Sequence, residues 1–171
     1  MLDHLHALVA GIALASLLIP GAAGRSIEIP AALNPDKLVV HRVISATGVQ
    51  IYTCGTDPAG APSWIFKAPE AELSDEDNKV IGKHYAGPSW EAFGGKVVGA
   101  VKTSMPAPAA DAIPWLLLDI TTREGAGDLT QARAIVRMDT KDGKAPGTGC
   151  QAAQSGQELR VPYTAVYVFL K

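Results

Sequence analysis

The longest candidate strand of the chain reads Glu158-Leu-Arg-Val-Pro-Tyr-Thr-Ala-Val-Tyr-Val-Phe-Leu170. Its β-branched and aromatic residues favour extended backbone. Proline cannot donate a hydrogen bond within a sheet, so Pro162 is expected at the beginning of this strand or at an edge. A strand of this length needs partners, and the preceding sequence supplies them.

Shorter runs of similar composition are separated by the 17 glycines and 12 prolines of the 171-residue chain. Residues 48–54 follow residues 38–44 closely enough to pair with them as a hairpin. The alternating run 131–138 is a strand candidate, and a short helix that begins at an Asp128 cap is the alternative for its first half. The other runs cover residues 62–67, 96–102 and 115–120. This spacing predicts an all-β fold, an antiparallel β-sandwich or barrel of about 7–9 strands with few or no long helices.

An apolar run, residues 7–19, precedes Pro20 and the small residues 21–24. This arrangement is typical of a secretory signal peptide, and the run is too short to span a bilayer. Its first residues contain Asp3 but no Lys or Arg, which is unusual for a signal; the alternative is a buried apolar helix of the fold. The sequence predicts a signal peptide at residues 1–24 and a single β-rich domain at residues 25–171, secreted to the periplasm or the extracellular space.

The chain contains two cysteines, Cys54 and Cys150. In an oxidising compartment such a pair is expected to form a disulfide. The alternative is two separate buried thiols. Redox catalysis is not indicated, because no Cys-x-x-Cys arrangement supplies a resolving partner.

Charge and motifs exclude several classes of function. The 15 basic and 17 acidic residues give a net charge of −2 without a basic block, so nothing favours nucleic acid or an anionic membrane. No glycine-rich nucleotide motif is present. The acidic segment around Asp75 and Asp77 has Lys79 and Val80 where a calcium loop needs a ligand and a glycine. The sequence therefore predicts no cofactor, no metal and no membrane span after leader cleavage.

Side chains capable of chemistry are concentrated in residues 82–93, around a Gly87-Pro88 turn. In a functional interpretation, His84 is a base or ligand and Glu91 is its carboxylate partner, beside aromatic rings that stack on a ligand. In a structural interpretation, the segment is a strand–turn–strand whose aromatic residues anchor the core. The predicted ligand-binding residues are His84, Tyr85, Trp90, Glu91 and Trp64.

Three functions are compatible with these residues. The leading hypothesis is a non-enzymatic exported β domain that binds a small molecule or an envelope or wall component. The second is a secreted hydrolase that uses His84 with Glu91 or Asp119, and it requires these side chains to converge in one cleft. The third is a structural envelope protein without a small ligand.

Several motifs follow one another in an order that resembles a known family. They are residues 48–54, 82–90, 113–118, 137–140 and 163–169, together with Cys150. In this order they resemble the domain-of-unknown-function family numbered 3455, which is found in exported bacterial and fungal proteins. The resemblance implies a secreted single domain with a two-cysteine pattern, and it implies no activity, substrate or site residue.

Overall fold

The computed structural model describes residues 27–171, in which eight antiparallel strands form one closed barrel. The strands are β1 (Val40–Thr56), β2 (Pro62–Ser74), β3 (Val80–Tyr85), β4 (Ser89–Ala92), β5 (Gly95–Met105), β6 (Trp115–Gly125), β7 (Ala134–Asp142) and β8 (Glu158–Leu170). Each strand pairs with the next in sequence, and β1 pairs with β8 to close the barrel. The predicted antiparallel all-β fold is confirmed, with the barrel as its architecture. The predicted signal peptide lies outside the described residues.

Helical structure in residues 27–171 is limited to three short 3-10 helices, Ala31–Leu33, Asp128–Gln131 and Ala152–Gln154. No helix in this part of the chain has the length and apolar character needed to cross a bilayer. A short helix is thus present at Asp128, but Gly127 is its N-cap, and of the run 131–138 only Gln131 is helical before β7 begins.

β1 is continuous through the region where the sequence predicts a hairpin. Gly48 lies within the strand and pairs with Ala71 of β2 and Tyr163 of β8. A Cβ atom at Gly48 would lie 2.2 Å from the carbonyl oxygen of Glu70. The hairpin prediction is wrong because residues 46–47, expected between the two strands, pair with β2 inside one continuous strand, and Gly48 permits the close approach of β2.

Apolar side chains fill much of the barrel interior, since alternate residues of each strand point inward. A second apolar cluster lies on the outer face of β6, β7 and β8, where residues 27–38 cover it and Leu33 is fully buried. The apolar cluster inside the barrel includes Ile44, Leu73, Trp90, Val97, Leu118, Ile120, Ile135, Tyr163, Tyr167 and Phe169. The wall at β6 to β8 is thus packed on both of its faces.

The two ends of the barrel differ, and we call them the closed end and the open end. At the closed end, helix Asp128–Gln131 places the fully buried Leu129 against the interior. A Cβ atom at Gly95 would lie 2.9 Å from Cγ2 of Thr130, so the glycine lets this helix pack closely. His41 and Arg42 of β1 both contact the Asp128 carboxylate, and the Arg42 hydrogen bond lowers the pKa of that group.

Four connections between strands lie at the open end. These are residues 57–61, 86–88, 106–114 and 143–157. The disulfide between Cys54 and Cys150 joins the end of β1 to the segment 143–157, across 96 positions of sequence. The predicted pairing of the two cysteines is confirmed.

Candidate functional site

A cavity of about 360 Å³ enters the barrel from the open end. This volume lies within the range of small-molecule sites. Its walls are mainly apolar: Phe66, Pro69, Pro88, Val101, Leu116 and Leu118. The polar and aromatic side chains around it are Lys67, His84, Trp90, Arg137 and Tyr167. We call this space the barrel cavity.

The β3–β4 hairpin supplies the aromatic part of the barrel cavity. His84 and Trp90 are directly opposite each other in the ladder, and both face the interior. Their rings stack with centroids 4.4 Å apart and planes 18° apart. The turn between the strands is held by Ser89, whose hydroxyl donates to the carbonyl oxygen of Ala86 at 3.0 Å. The two rings form a preorganised surface.

His84 is neutral at physiological pH. Burial lowers its pKa to about 4, the positive charge of Arg137 adds to this effect, and the hydrogen bond to Ser89 opposes it. Nδ1 lies 2.8 Å from the carbonyl oxygen of Ser89. Because a carbonyl only accepts, Nδ1 carries the proton, and Nε2 is left as a hydrogen-bond acceptor.

Arg137 projects from the inner face of β7, opposite Tyr167 of β8. Its Nε and Nη2 atoms donate to the carbonyl oxygen of Pro114, at 3.1 and 2.8 Å. Burial raises the pKa of Tyr167, and the nearby Arg137 charge opposes this shift without abolishing it. The Tyr167 hydroxyl is therefore protonated at neutral pH, beside a guanidinium held in a fixed orientation.

Sequence reasoning missed Arg137 as a site residue. In the run 131–138 the apolar residues Val136 and Met138 alternate with Arg137, which assigns the arginine to the solvent side. The structure reverses this assignment: Val136 and Met138 face outward beneath residues 27–38, and Arg137 faces inward. The sequence signal that could have found Arg137 was the set of apolar residues within 27–38, which have to be buried against an apolar strand face.

The predicted site residues of the β3–β4 hairpin are divided between the two faces of the sheet. His84 and Trp90 line the barrel cavity. Tyr85 and Glu91, each one position further along, lie on the outer face, where the Tyr85 hydroxyl donates to Oε2 of Glu91 at 3.0 Å. This hydrogen bond lowers the pKa of Glu91, with a further contribution from Lys83.

The other two predicted residues lie away from the barrel cavity. Trp64 is at the open end, where its Nε1 atom donates to the carbonyl oxygen of Thr148 at 3.0 Å. Asp119 lies on the outer face of β6, with Oδ1 3.4 Å from Nζ of Lys102. His84 therefore does not meet Glu91 or Asp119 in one cleft.

One buried donor in this region has no protein acceptor. The Trp90 Nε1 atom forms no hydrogen bond with any residue from 27 to 171, although the side chain is 1% exposed. A buried polar group without a partner costs free energy. In the same part of the chain, no group of three His, Cys, Asp or Glu side chains is placed to hold a metal ion.

A second, wider groove of about 460 Å³ lies over β1, β2 and β3. Most of its charged residues already have partners: Arg160 lies 2.7 Å from Glu70, and Lys83 lies 3.3 Å from Glu91. The groove is also more open to solvent than the barrel cavity, which extends between the strands. The barrel cavity is therefore the stronger candidate site.

Comparison with known proteins gives one family. A family profile described as "Protein of unknown function (DUF3455)" matches residues 35–171. This range includes all eight strands and both cysteines. No curated protein and no solved structure matches the chain.

Proposed function

We propose that this protein, which belongs to the DUF3455 family, is exported and binds a small molecule in the barrel cavity. The observation that carries this proposal is a mostly apolar cavity of about 360 Å³ into which a few polar side chains converge. Such a combination is characteristic of ligand-binding sites. Eight-stranded barrels have an interior of suitable width for one small ligand.

The surroundings of His84 favour binding over hydrolysis. A general base works best with a pKa near the operating pH, whereas burial lowers the pKa of His84 to about 4. Its Nδ1 atom is occupied by a backbone carbonyl, and not by a carboxylate that would stabilise an imidazolium. None of the residues that line the barrel cavity is acidic. His84 is therefore suited to accept a hydrogen bond from a ligand.

Several contacts anchor the connections at the open end, and preorganisation of this kind reduces the entropic cost of binding. The Tyr52 hydroxyl donates to the carbonyl oxygen of Gly143 at 2.7 Å, and the Thr140 hydroxyl donates to that of Ile113 at 2.7 Å. Both bonds fix connections at the open end. The disulfide fixes the longest of them, and its presence supports export, because such bonds persist in oxidising compartments.

A neutral fluorescent probe tests the binding function. We expect N-phenyl-1-naphthylamine to bind the purified wild-type protein saturably with enhanced emission. Val101→Trp places a large ring at the rim of the barrel cavity and is expected to weaken probe binding at least about tenfold, since overfilling a site forces rearrangement. Val101 is 57% exposed, so this variant is expected to fold.

Val43→Trp is the matched control. Val43 is also an exposed strand valine, at 40%, but it does not line the barrel cavity. We expect it to bind the probe as the wild type does. Absence of saturable binding, or an equal loss in both variants, would refute the proposed function. Mass spectrometry of protein purified from its native source would test leader removal and identify any co-purified molecule.

A further inference from the structure

We infer that Arg137 is an anion-binding subsite of the barrel cavity and that the ligand is a small amphipathic carboxylate. This inference deepens the proposed binding function and depends on it. It rests on the charge balance of the cavity, the orientation of the guanidinium and the chemistry of the opposite wall.

Arg137 is partly buried, whereas the arginines on the outer surface of the barrel are paired or exposed. Arg42 pairs with Asp128, and Arg123, which forms no ion pair within residues 27–171, is exposed to solvent. Within residues 27–171 Arg137 forms no ion pair, and none of the residues that line the barrel cavity is acidic. A partly buried charge among apolar walls is costly unless it is compensated. A ligand carboxylate would supply that compensation.

The guanidinium is oriented so that it retains free donors. Its hydrogen bonds to the carbonyl oxygen of Pro114 use Nε and one N–H of Nη2. The Tyr167 hydroxyl also forms a hydrogen bond with the guanidinium, which leaves about two of its five N–H donors. Two donors on one planar guanidinium can bind the two oxygens of a carboxylate. Pro114 therefore acts as a positioning residue for Arg137.

The rest of the barrel cavity requires an apolar body on the same ligand. Leu116, Leu118 and Val101 form aliphatic walls, and the Trp90 ring provides an aromatic one. The Nε2 atom of His84 accepts a hydrogen bond, which suits a ligand with a hydroxyl or N–H group. The other cation that lines the cavity, Lys67, is paired with Glu158. One unpaired positive charge matches a monoanion better than a phosphate.

Matched acid and amide pairs test this inference. The probes are naphthalene-2-carboxylate, phenylacetate and hexanoate, each compared with its neutral amide, and binding is measured by ligand-observed NMR titration. We expect the wild type to bind the better acids at least about tenfold more tightly than their amides, because a charged bidentate hydrogen bond is lost in the amide. Arg137→Gln is expected to abolish this preference while amide affinity is retained.

Two further variants isolate the role of the guanidinium. Arg160→Gln removes an outer arginine and is expected to leave the acid preference unchanged. Arg137→Lys keeps the charge without the planar fork, so we expect a reduced preference; it also replaces Arg137→Gln if that variant does not fold. Folding of each variant is checked by circular dichroism and by its thermal midpoint.

The possible failures are distinguishable. If acids and amides bind the wild type equally, or if no acid binds while the neutral probe does, the anion subsite is refuted and the binding function stands. The same conclusion follows if acid preference survives Arg137→Gln. If neither the pairs nor N-phenyl-1-naphthylamine bind, both proposals fail.

Discussion

The closed end and the open end of the barrel are built on the same eight strands but perform different tasks. At the closed end the interior is apolar, and Leu129 fills the opening. At the open end the interior contains Arg137, His84 and Tyr167 around a cavity. The contrast indicates that a dense core in one half allows the other half to hold polar groups and empty space.

The longest connection between strands lies at the open end. There residues 143–157 join β7 to β8, whereas the longest connection at the closed end is residues 126–133. Loops that surround a site on a rigid scaffold are a frequent location of function. The disulfide fastens the longest loop covalently, in addition to the core packing of Ile113 from the connection 106–114.

Removing that bond is expected to have the largest effect on stability. In Cys54→Ala/Cys150→Ala, the chain-entropy estimate for a loop of this size predicts a loss of about 4–5 kcal/mol in the free energy of unfolding. Urea unfolding of the variant and the wild type measures it. Hydrogen exchange is expected to accelerate first in residues 143–157. An unchanged urea midpoint would contradict the view that the disulfide secures the open end.

A smaller loss of stability is expected when a buried side chain is shortened at the closed end. Leu129→Ala deletes a fully buried side chain and should lower the free energy of unfolding by about 3 kcal/mol while probe affinity is preserved. Val101→Ala is the matched substitution at the open end, and its half-exposed side chain predicts a change below about 0.5 kcal/mol. Equal losses in the two variants would show that the ends do not differ in this way.

A loss of stability smaller than that of Leu129→Ala depends on pH and concerns His84. The unfolded chain binds a proton at this residue near pH 6.5, whereas the folded chain does so only near pH 4. The stability is therefore complete above pH 6.5 and falls as the pH drops toward 4, by about 2 kcal/mol between pH 7 and pH 5. His84→Gln should remove most of this fall in urea titrations at the two pH values. A variant as acid-sensitive as the wild type would refute the burial of a neutral His84.

Much of the fold was predictable because strand signals are local. The segment that became β8 has β-branched and aromatic residues throughout, and Pro162 lies just outside the pairs that β8 forms with β7, where an absent N–H is tolerated. The break predicted at residues 46–47 is absent, and the neighbouring Gly48 illustrates that a glycine can mark either a turn or a close approach of two backbones. Whether a glycine marks a turn or a close approach depends here on the pairing with β2, which the residues around Gly48 do not reveal.

The candidate site was predictable only in part. The β3–β4 segment attracts attention by composition, but strand alternation places His84 and Trp90 inside and Tyr85 and Glu91 outside. Arg137 was not predicted as a site residue because its apolar neighbours Val136 and Met138 face the covering residues 27–38 and not the barrel interior. Patterns of alternation identify two faces of a strand, and tertiary structure decides which face is the inner one.

Closure of the barrel has a consequence for how the chain folds. β1 and β8 are paired from Val40–Leu170 to Thr53–Glu158, so the sheet is completed by contacts between the first and last strands. Contacts of such large sequence separation carry a high loop-closure entropy and slow the folding reaction. Until they form, both strands expose a free edge to which another chain can add. Pairing of β1 with β8 is therefore also the step that protects the protein from aggregation.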